Sequence, residues 1–540
     1  MKLNKIVFAH NTKNTKHSFL KKHIQYLFQK KLFSTSKKTY FKLTKNSNEL
    51  KNEYSELSKS FVLSNGVRVV SKAIPGHFST LGVYIDAGSR YEHDNIRGTS
   101  HLIDRLSFKA TKNRSAENMI NSLESLGGNF MCSCSRESLI YQTAIFNNDV
   151  ENMIKLLSET ILDPIITKED LEEQKLTVQY EITEITSKPE LILPEMVHIT
   201  AFKNNTLGNP LLCPKERLPF ISLSTISDYR DLFYRPERMV IAFVGVEHDK
   251  ARDLAEKYFG DFKNKETSYN PFVLQNKSLE LEFQEKALSK NTSSISLPYD
   301  ISKEKMFLPA HYTGGIMNIP LSKQNQEFTH IYIAFEGMPL SDPDIYALAT
   351  LQILLGGGGS FSAGGPGKGM YSRLFLNVLN QYGWIESCVS FNHSYTDSGI
   401  FGISASCKHD AAQALINIIC QELVFTMHKG RKGINKIETE RAKNQLRSSL
   451  MMNLESKMII LEDLGRQAQT INQKKITAQE MCDKISSLTV NDLQNVAEKI
   501  FTGLIKNKGQ GTGQPTIVIQ GKAEKLSNAS DIIKRYGLGK

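Results

Sequence analysis

FSTLGVYIDAGSR at residues 78–90 and FTHIYIAFEGMPL at residues 328–340 share one pattern, a strand-like alternation that ends in turn-forming residues. The elements that follow each copy also match. GGNFMCSCSRESLIYQTAIF (127–146), a hairpin pattern, is paralleled by YGWIESCVSFNHSYTDSGIFGISASC (382–407). NDVENMIKLLSETIL (148–162), a helical pattern, is paralleled by HDAAQALINIICQELVF (409–425). Repetition of several elements in one order predicts two related α+β halves.

The predicted organisation has four parts. Residues 1–57 form a presequence and polar lead-in, residues 58–262 the first half, residues 263–325 a polar connector, and residues 326–540 the second half. Each half is expected to be a β-sheet packed with helices, and the two are expected to close like a clamshell around a substrate.

A glycine-rich stretch, GGGGSFSAGGPGKG (356–369), lies between two helical patterns of the second half. Eight glycines in fourteen positions give up backbone entropy and add no side chain to a core. An exposed loop is therefore expected, whose backbone N–H and C=O groups contact an extended peptide of any sequence. A simple glycine linker is the alternative, but Phe361, Pro366 and Met370 have no use in a spacer.

The glycine-rich stretch does not match a phosphate-binding loop, which requires G-x-x-x-x-G-K-[ST] after a strand. Gly369 stands where the hydroxyl residue is required, and Ser362 where the first glycine is required. The stretch also follows a helical pattern, so nucleotide binding is not supported.

The formal charge of +11 is concentrated at the N-terminus. Residues 1–48 hold twelve of the 67 basic side chains and no carboxylate, which leaves 55 basic against 56 acidic residues. Without a basic surface on the folded part, no nucleic-acid partner is expected. HSFLKKHIQYLFQKKLF (17–33) is basic and amphipathic, as in a mitochondrial presequence. We expect cleavage between residues 33 and 60 and location in the matrix; a disordered basic tail is the alternative.

The seven cysteines are scattered and include no C-x-x-C, which indicates buried thiols in a reducing compartment. Cys132 and Cys134 alone are too few ligands for a metal. The longest apolar run, MVIAFVGV (239–246), is too short to span a bilayer.

One motif resembles a known catalytic site. GTSHLIDRLSFKAT (98–111) is similar to the inverted zinc motif of the pitrilysin-type M16 peptidases, H-x-x-E-H. In that family two histidines one turn apart and a later glutamate bind zinc, and the glutamate of the motif activates a water. His101 is present here, and Glu181 stands at the spacing of the distal ligand.

Two positions depart from that motif. Arg105 replaces the second histidine, and its guanidinium has no lone pair and a permanent positive charge. Asp104 replaces the glutamate base and is one methylene shorter. His101 and Glu181 are two ligands where a catalytic zinc needs three and a water. We therefore interpret His101, Asp104, Arg105 and Glu181 as a degenerate zinc site, without metal, held by salt bridges.

The resemblance extends from about residue 58 over nearly the whole chain, and it is closest to the non-catalytic subunits of presequence-processing M16 heterodimers. It implies pairing with a catalytic beta subunit that carries zinc, while this chain has no cofactor of its own. It also implies that the glycine-rich stretch binds presequence peptides. The implied substrate contacts are Gly356, Gly357, Gly358, Gly359, Phe361, Gly364, Gly365, Gly367, Lys368, Gly369 and Met370.

Two other functions remain open. The first is a structural core subunit of the cytochrome bc1 complex, respiratory complex III, on the matrix face of the inner membrane, because such subunits resemble these proteins and both roles can be united in one chain. The second is an active M16 peptidase, which requires zinc on this chain. Glu386 and Asp397 are candidate carboxylates for lining a cavity that receives basic peptides, although an ordinary solvated strand face explains each of them too.

Overall fold

In a computed structural model, the chain is described at residues 58–263, 305–320, 327–359, 370–469, 476–521 and 528–540. Residues 58–540 form one compact unit. The predicted presequence, residues 1–57, and Phe361 to Gly369 of the glycine-rich stretch lie outside the described residues. Within the described ranges, no helix has the length and apolar character that a membrane span requires.

The first half is built on a six-stranded mixed sheet. Its strands are β1 (Ser58–Val62), β2 (Arg68–Lys72), β3 (Phe78–Ile85), β4 (Asn129–Cys134), β5 (Leu139–Phe146) and β6 (Met239–Val244). The spatial order is β1-β2-β6-β3-β5-β4, with β2 and β6 parallel and the other neighbours antiparallel. Every residue of β6 is buried, as expected for a central strand covered on both faces.

Seven helices belong to this half by sequence: α1 (Thr99–Arg105), α2 (Ala116–Ser125), α3 (Val150–Leu162), α4 (Lys168–Thr186), α5 (Pro189–Ala201), α6 (Leu223–Phe233) and α7 (His248–Phe259). Local chemistry sets several of their ends. Thr167 and Asp170 form a capping box at the start of α4, and Pro189 opens α5 at a position that needs no N–H donor.

The second half repeats this architecture. Its strands are β7 (Gly315–Ile319), β8 (Phe328–Gly337), β9 (Gly357–Gly359), β10 (Ile385–Ser394), β11 (Gly399–Lys408) and β12 (Thr516–Gln520). Their order is β7-β12-β8-β11-β10-β9, and only β7 and β12 are parallel. Five strands therefore match β2-β6-β3-β5-β4 in order and direction. The sixth differs: the first half adds β1 at one end of its sheet, and the second half adds β9 at the other.

The helices of the second half are α8 (Ile345–Leu355), α9 (Ala412–Met427), α10 (Lys436–Asn453), α11 (Lys457–Gln469), α12 (Ala478–Ser487), α13 (Val490–Phe501) and α14 (Ala529–Arg535). A π-helical turn, Phe375–Leu379, stands where the sequence pattern MYSRLFLNVLNQYG predicts a helix. In chain order α8, α9 and α10 correspond to α1, α3 and α4. The two-copy α+β fold class is thus confirmed.

One helix of each half packs on the sheet of the other half. Helix α11 packs on β2, β3 and β6, where Leu461 and Leu464 join a buried cluster with Tyr84. Helix α5 packs on β7, β8 and β12, where Leu193 and Val197 join a second cluster. Among the described residues, one face of each sheet is covered by a helix of the other half, so the halves are joined by their cores.

The approach of α11 to the first sheet depends on Gly465. A Cβ at this position would lie 2.3 Å from Cε2 of the buried Tyr84 ring, closer than van der Waals contact permits. Two side-chain donors fix the same helix. The Thr80 hydroxyl donates to the Lys457 carbonyl at 3.2 Å, and the Lys457 ammonium donates to the Phe78 carbonyl at 2.7 Å.

Buried charges also connect the halves. Arg90, six per cent exposed, follows β3 and forms ion pairs with Glu137 of the first half and Asp397 of the second. Asp397 additionally accepts the Ala310 N–H at 2.9 Å, and Glu137 accepts the Thr396 N–H at 3.1 Å. Every charge in this cluster has a partner, which buried ions require.

Among the described residues of the connector predicted at 263–325 there is one strand, β7, which is the edge of the second sheet. Its pattern, GIMNI, is short and flanked by glycines and a proline, so nothing in the sequence separates it from a linker. The bounds of the four predicted parts remain a proposal about organisation.

Candidate functional site

The helix that carries the degenerate motif, α1, starts at a tightly packed turn. Gly98 has φ +83°, and a Cβ there would lie 2.6 Å from the Cys213 sulfur. The Glu92 carboxylate accepts the N–H groups of Gly98 and Ser100, each at 2.7 Å. It thereby satisfies donors at the helix N-terminus, where negative charge is favourable. Burial raises the pKa of Glu92 to about 7.

His101 lies on the buried face of α1 and makes two hydrogen bonds. Its Nδ1 accepts the backbone N–H of Cys213 at 3.2 Å, and its Nε2 lies 3.2 Å from Oε2 of Glu181 on α4. A backbone N–H only donates, so Nδ1 is unprotonated and Nε2 carries the hydrogen that Glu181 accepts. Burial lowers the pKa of His101, which favours this neutral form.

Arg105 occupies the position one helical turn beyond His101. Its Nε lies 2.9 Å from the Glu181 carboxylate, and its Nη1 lies 3.7 Å from Asp104. Asp104 in turn accepts the N–H of Cys134 at 3.3 Å. The structure therefore brings all four predicted residues together, with Glu181 shared by His101 and Arg105.

This donor set does not fit a zinc ion. The nitrogen of His101 that faces Glu181 carries a hydrogen, and the Glu181 oxygens are engaged by two donors. A guanidinium stands where the third ligand is required, and it repels a cation. In the part of the chain that the structure describes, no three His, Cys, Asp or Glu side chains are grouped so as to hold a metal.

We expect the purified chain to retain no stoichiometric zinc after incubation with zinc and dialysis, as measured by elemental analysis. The Arg105→Ala variant should also retain none, because removal of the charge still leaves two ligands where three are needed. One zinc per chain in the unsubstituted protein would contradict the interpretation of the site as degenerate. One zinc in the Arg105→Ala variant would contradict the ligand count.

The start of the glycine-rich stretch is built into the second sheet. Gly356 ends α8 with φ +55°, and a Cβ there would lie 2.5 Å from Cβ of Ser372. Gly357 has φ +114°, and its Cβ would lie 1.9 Å from the Cys388 carbonyl oxygen. Both positions require glycine. Gly357 to Gly359 form β9, which pairs with Ser387 to Val389 of β10.

Strand β9 is the edge of its sheet among the described residues. Gly358 at its centre has open space where a Cβ would stand. An edge strand made only of glycine has no side chains of its own beside its main-chain groups. One of these groups, the Gly357 N–H, is already bound by the Ser372 hydroxyl. Met370, where the chain is again described, is half-buried. Phe361, Gly364, Gly365, Gly367, Lys368 and Gly369 lie outside the described residues.

Asp397 was a candidate for lining a cavity that receives basic peptides, but its carboxylate is engaged elsewhere. Both of its oxygens are bound to Arg90, and one also accepts the Ala310 N–H, so the carboxylate joins the two halves. The bond to Arg90 outweighs burial and lowers the pKa of Asp397. Glu386 is partly exposed on β10.

Glu92, Cys213 and Ser372 are site residues that the sequence pattern missed. Glu92 lies six and eight residues before the two N–H groups that it accepts at the helix N-terminus, whereas the residues of a capping box are three apart. Cys213 contributes only its backbone N–H to His101, and no pattern of side chains reports that contact.

Two family models match consecutive parts of the chain, and the boundary between them lies within the first half, ahead of α6 and β6. Residues 68–215 match the family model described as insulinase, peptidase family M16, and residues 221–446 match the model described as peptidase M16 inactive domain. A solved structure of a protease from Helicobacter pylori aligns with a TM-score of 0.68 over 86% of this chain and 99% of that one. Its sequence identity is 19%, so this similarity shows the fold alone.

Several curated proteins align over most of their length. Mitochondrial-processing peptidase subunit alpha of Neurospora crassa is 52% identical over 503 residues, which cover 87% of each chain. The probable subunit alpha of Schizosaccharomyces pombe is 48% identical over 482 residues, 88% of each chain. The human subunit alpha is 35% identical over 457 residues, 83% of this chain and 80% of that one.

Proposed function

This chain belongs to the M16 peptidase family, among the alpha subunits of mitochondrial-processing peptidases, and from that premise we propose how it acts. It is a non-catalytic subunit that binds the presequences of imported precursors, and a zinc-bearing beta subunit cleaves them. The observation that carries the non-catalytic role is the ion pair between Arg105 and Glu181, which places a cation and its counter-ion where a peptidase of this family needs a metal. The chain acts in the mitochondrial matrix.

The glycine-rich stretch is the proposed contact surface for the presequence. Presequences vary in sequence, so a receptor that binds through main-chain groups recognises them independently of most side chains. The glycine edge of β9 offers such groups apart from the Gly357 N–H, which the Ser372 hydroxyl binds, and no atom of the described residues lies within 4 Å of the Cβ position of Gly358. The backbone at Gly356 and Gly357 fixes the start of this proposed contact surface, and the surface continues along the sequence to Met370.

Binding of a labelled peptide tests this role. The probe is a fluorescent peptide of residues 17–33, HSFLKKHIQYLFQKKLF, added to the chain assembled with its beta subunit. Gly358→Val places a branched side chain at the sheet edge without a clash, and deletion of residues 360–369 removes the rest of the stretch. Each change is expected to weaken binding about tenfold, roughly 1.4 kcal/mol, as measured by fluorescence anisotropy.

Gly430→Val is the matched control, because Gly430 lies in an exposed loop with open space around its Cβ position. It should leave both binding and assembly with the beta subunit unchanged. Wild-type affinity in both the Gly358→Val variant and the deletion variant would refute the assignment of the glycine-rich stretch.

The core-subunit role in the cytochrome bc1 complex is the alternative function. The glycine-rich stretch favours processing, because a purely structural subunit gains nothing from a glycine edge strand that costs backbone entropy to order. Native electrophoresis of mitochondrial membranes separates the roles: a processing subunit migrates with its beta partner alone, and a core subunit migrates with the complex.

A further inference from the structure

A cavity of about 300 Å³ lies in the second half, in the cleft between α8 and α10. Ile353 and Leu354 of α8 and Ala442 of α10 supply its apolar floor, and Tyr371 and Ser372 form a wall. This volume is at the lower end of the range for binding sites, so it suits one bulky side chain better than a whole small ligand.

The cleft is the counterpart of the degenerate zinc site. In the first half α1 and α4 enclose that site, and in the second half α8 and α10 hold the equivalent places. Helices α4 and α10 match in register: both start at a capping box, and Lys175 pairs with Glu172 as Lys443 pairs with Glu440, each at 2.9 Å. Charged side chains fill the cleft of the first half, whereas that of the second half is open and mostly apolar.

A buried ion pair holds the wall of the cavity in place. Arg373, next to Ser372, pairs with Glu438 of α10 at 3.0 Å and donates to the carbonyl of Gly433 at 2.6 Å. Glu438 also completes the capping box of α10 with Asn435. The wall is thereby tied to the helix that forms the opposite side, so the cavity is preformed.

The cavity adjoins the glycine edge. Ser372 lines the cavity, and its hydroxyl accepts the N–H of Gly357 at 3.0 Å. A peptide that lies along β9 therefore passes beside the cavity mouth, and successive side chains of an extended peptide point to opposite faces. A side chain on one face of such a peptide is within reach of the cavity.

The charge at the mouth restricts what enters. Arg441 lies at the rim, with its guanidinium carbon 5.8 Å from the centre of the Tyr371 ring. A cation at this point repels the basic side chains of a presequence, whereas the apolar floor favours an aliphatic or aromatic one. We propose that this cavity binds a bulky apolar side chain of the presequence while its main chain lies along β9. The proposal rests on the proposed function and adds the class of side chain that is recognised.

The test combines a substitution that blocks the cavity with substitutions in the peptide. Ser448 is an exposed lining residue, and Ser448→Trp places a ring over the mouth. Binding of the labelled 17–33 peptide to the chain assembled with its beta subunit should weaken about tenfold. Five variants of the peptide each carry Asn in place of one apolar residue: Phe19, Leu20, Ile24, Leu27 or Phe28. One of these substitutions should weaken binding to the wild-type protein but cause no further loss of binding to the Ser448→Trp variant.

Met452→Trp is the control, since Met452 is exposed on the same helix outside the cavity, and it should bind as wild type. Unchanged binding by Ser448→Trp, or additive effects at all five peptide positions, would overturn the proposal. Additive effects would mean that the cavity holds something other than the peptide, such as a side chain of this chain. If Gly358→Val weakened peptide binding in the same assay while Ser448→Trp did not, the cavity assignment would be wrong and the proposed function would still be supported.

Discussion

Replacement of Arg90 by Met is expected to destabilise the chain by about 3–5 kcal/mol, because it leaves two carboxylates, 13% and 11% exposed, without their cation. Arg90 is six per cent exposed, and Glu137 and Asp397 are both paired to it. Met fills much of the same volume, so the loss reflects charge more than packing. Asp397→Asn in the same chain should recover part of the stability, since it removes one of the stranded charges.

Denaturation by urea measures this effect, and the single tryptophan, Trp384, reports on the second half through its fluorescence. Arg252→Met is the control, because Arg252 is exposed and its ion pairs with Asp249 and Asp253 lie at the surface. We expect the control to change stability by less than about 0.5 kcal/mol. An equally small change for Arg90→Met would show that the cluster does not hold the halves together.

Leu461→Ala is expected to cost about 2–5 kcal/mol, the range for a large buried aliphatic side chain replaced by alanine. Leu461 is fully buried on α11 against the sheet of the first half. The damage should therefore appear in the first half, although residue 461 belongs to the second by sequence. Faster hydrogen exchange in β3 and β6, measured by mass spectrometry, is the expected signature.

Ile459→Ala on the same helix is the matched control, since Ile459 is 40% exposed and makes a smaller contribution to packing. Exchange in β3 and β6 should remain slow in this variant. If Leu461→Ala instead accelerated exchange only within the second half, the packing of α11 across the halves would be disproved.

Much of the fold was predictable from the sequence because its elements have strong local patterns. The hairpin of β4 and β5 and helix α3 appear where the alternation and helical spacing place them. The exchange of α5 and α11 was not predictable. An apolar face on a helix shows that it is buried but does not identify the sheet that covers it.

The candidate site was predictable only in part. The motif that contains His101 and Arg105, together with the spacing to Glu181, brought out the charged cluster, and the structure places these side chains in contact. Strand β9 was missed because glycine has low strand propensity, and only its pairing with β10 reveals the edge. The cavity beside it involves residues from distant segments, such as Leu354 and Ala442, that no local pattern joins.

The exchange of helices between the sheets also dictates an order of events in time. Synthesis starts at the N-terminus, so the strands of the first sheet that carry Tyr84 and Val240 are made long before α11, the helix that covers them. Their apolar face stays open to water until residue 469 follows, and exposed sheet surface of this kind aggregates readily. In a fragment that ends at the connector this face would stay exposed, so we expect the first half alone to aggregate.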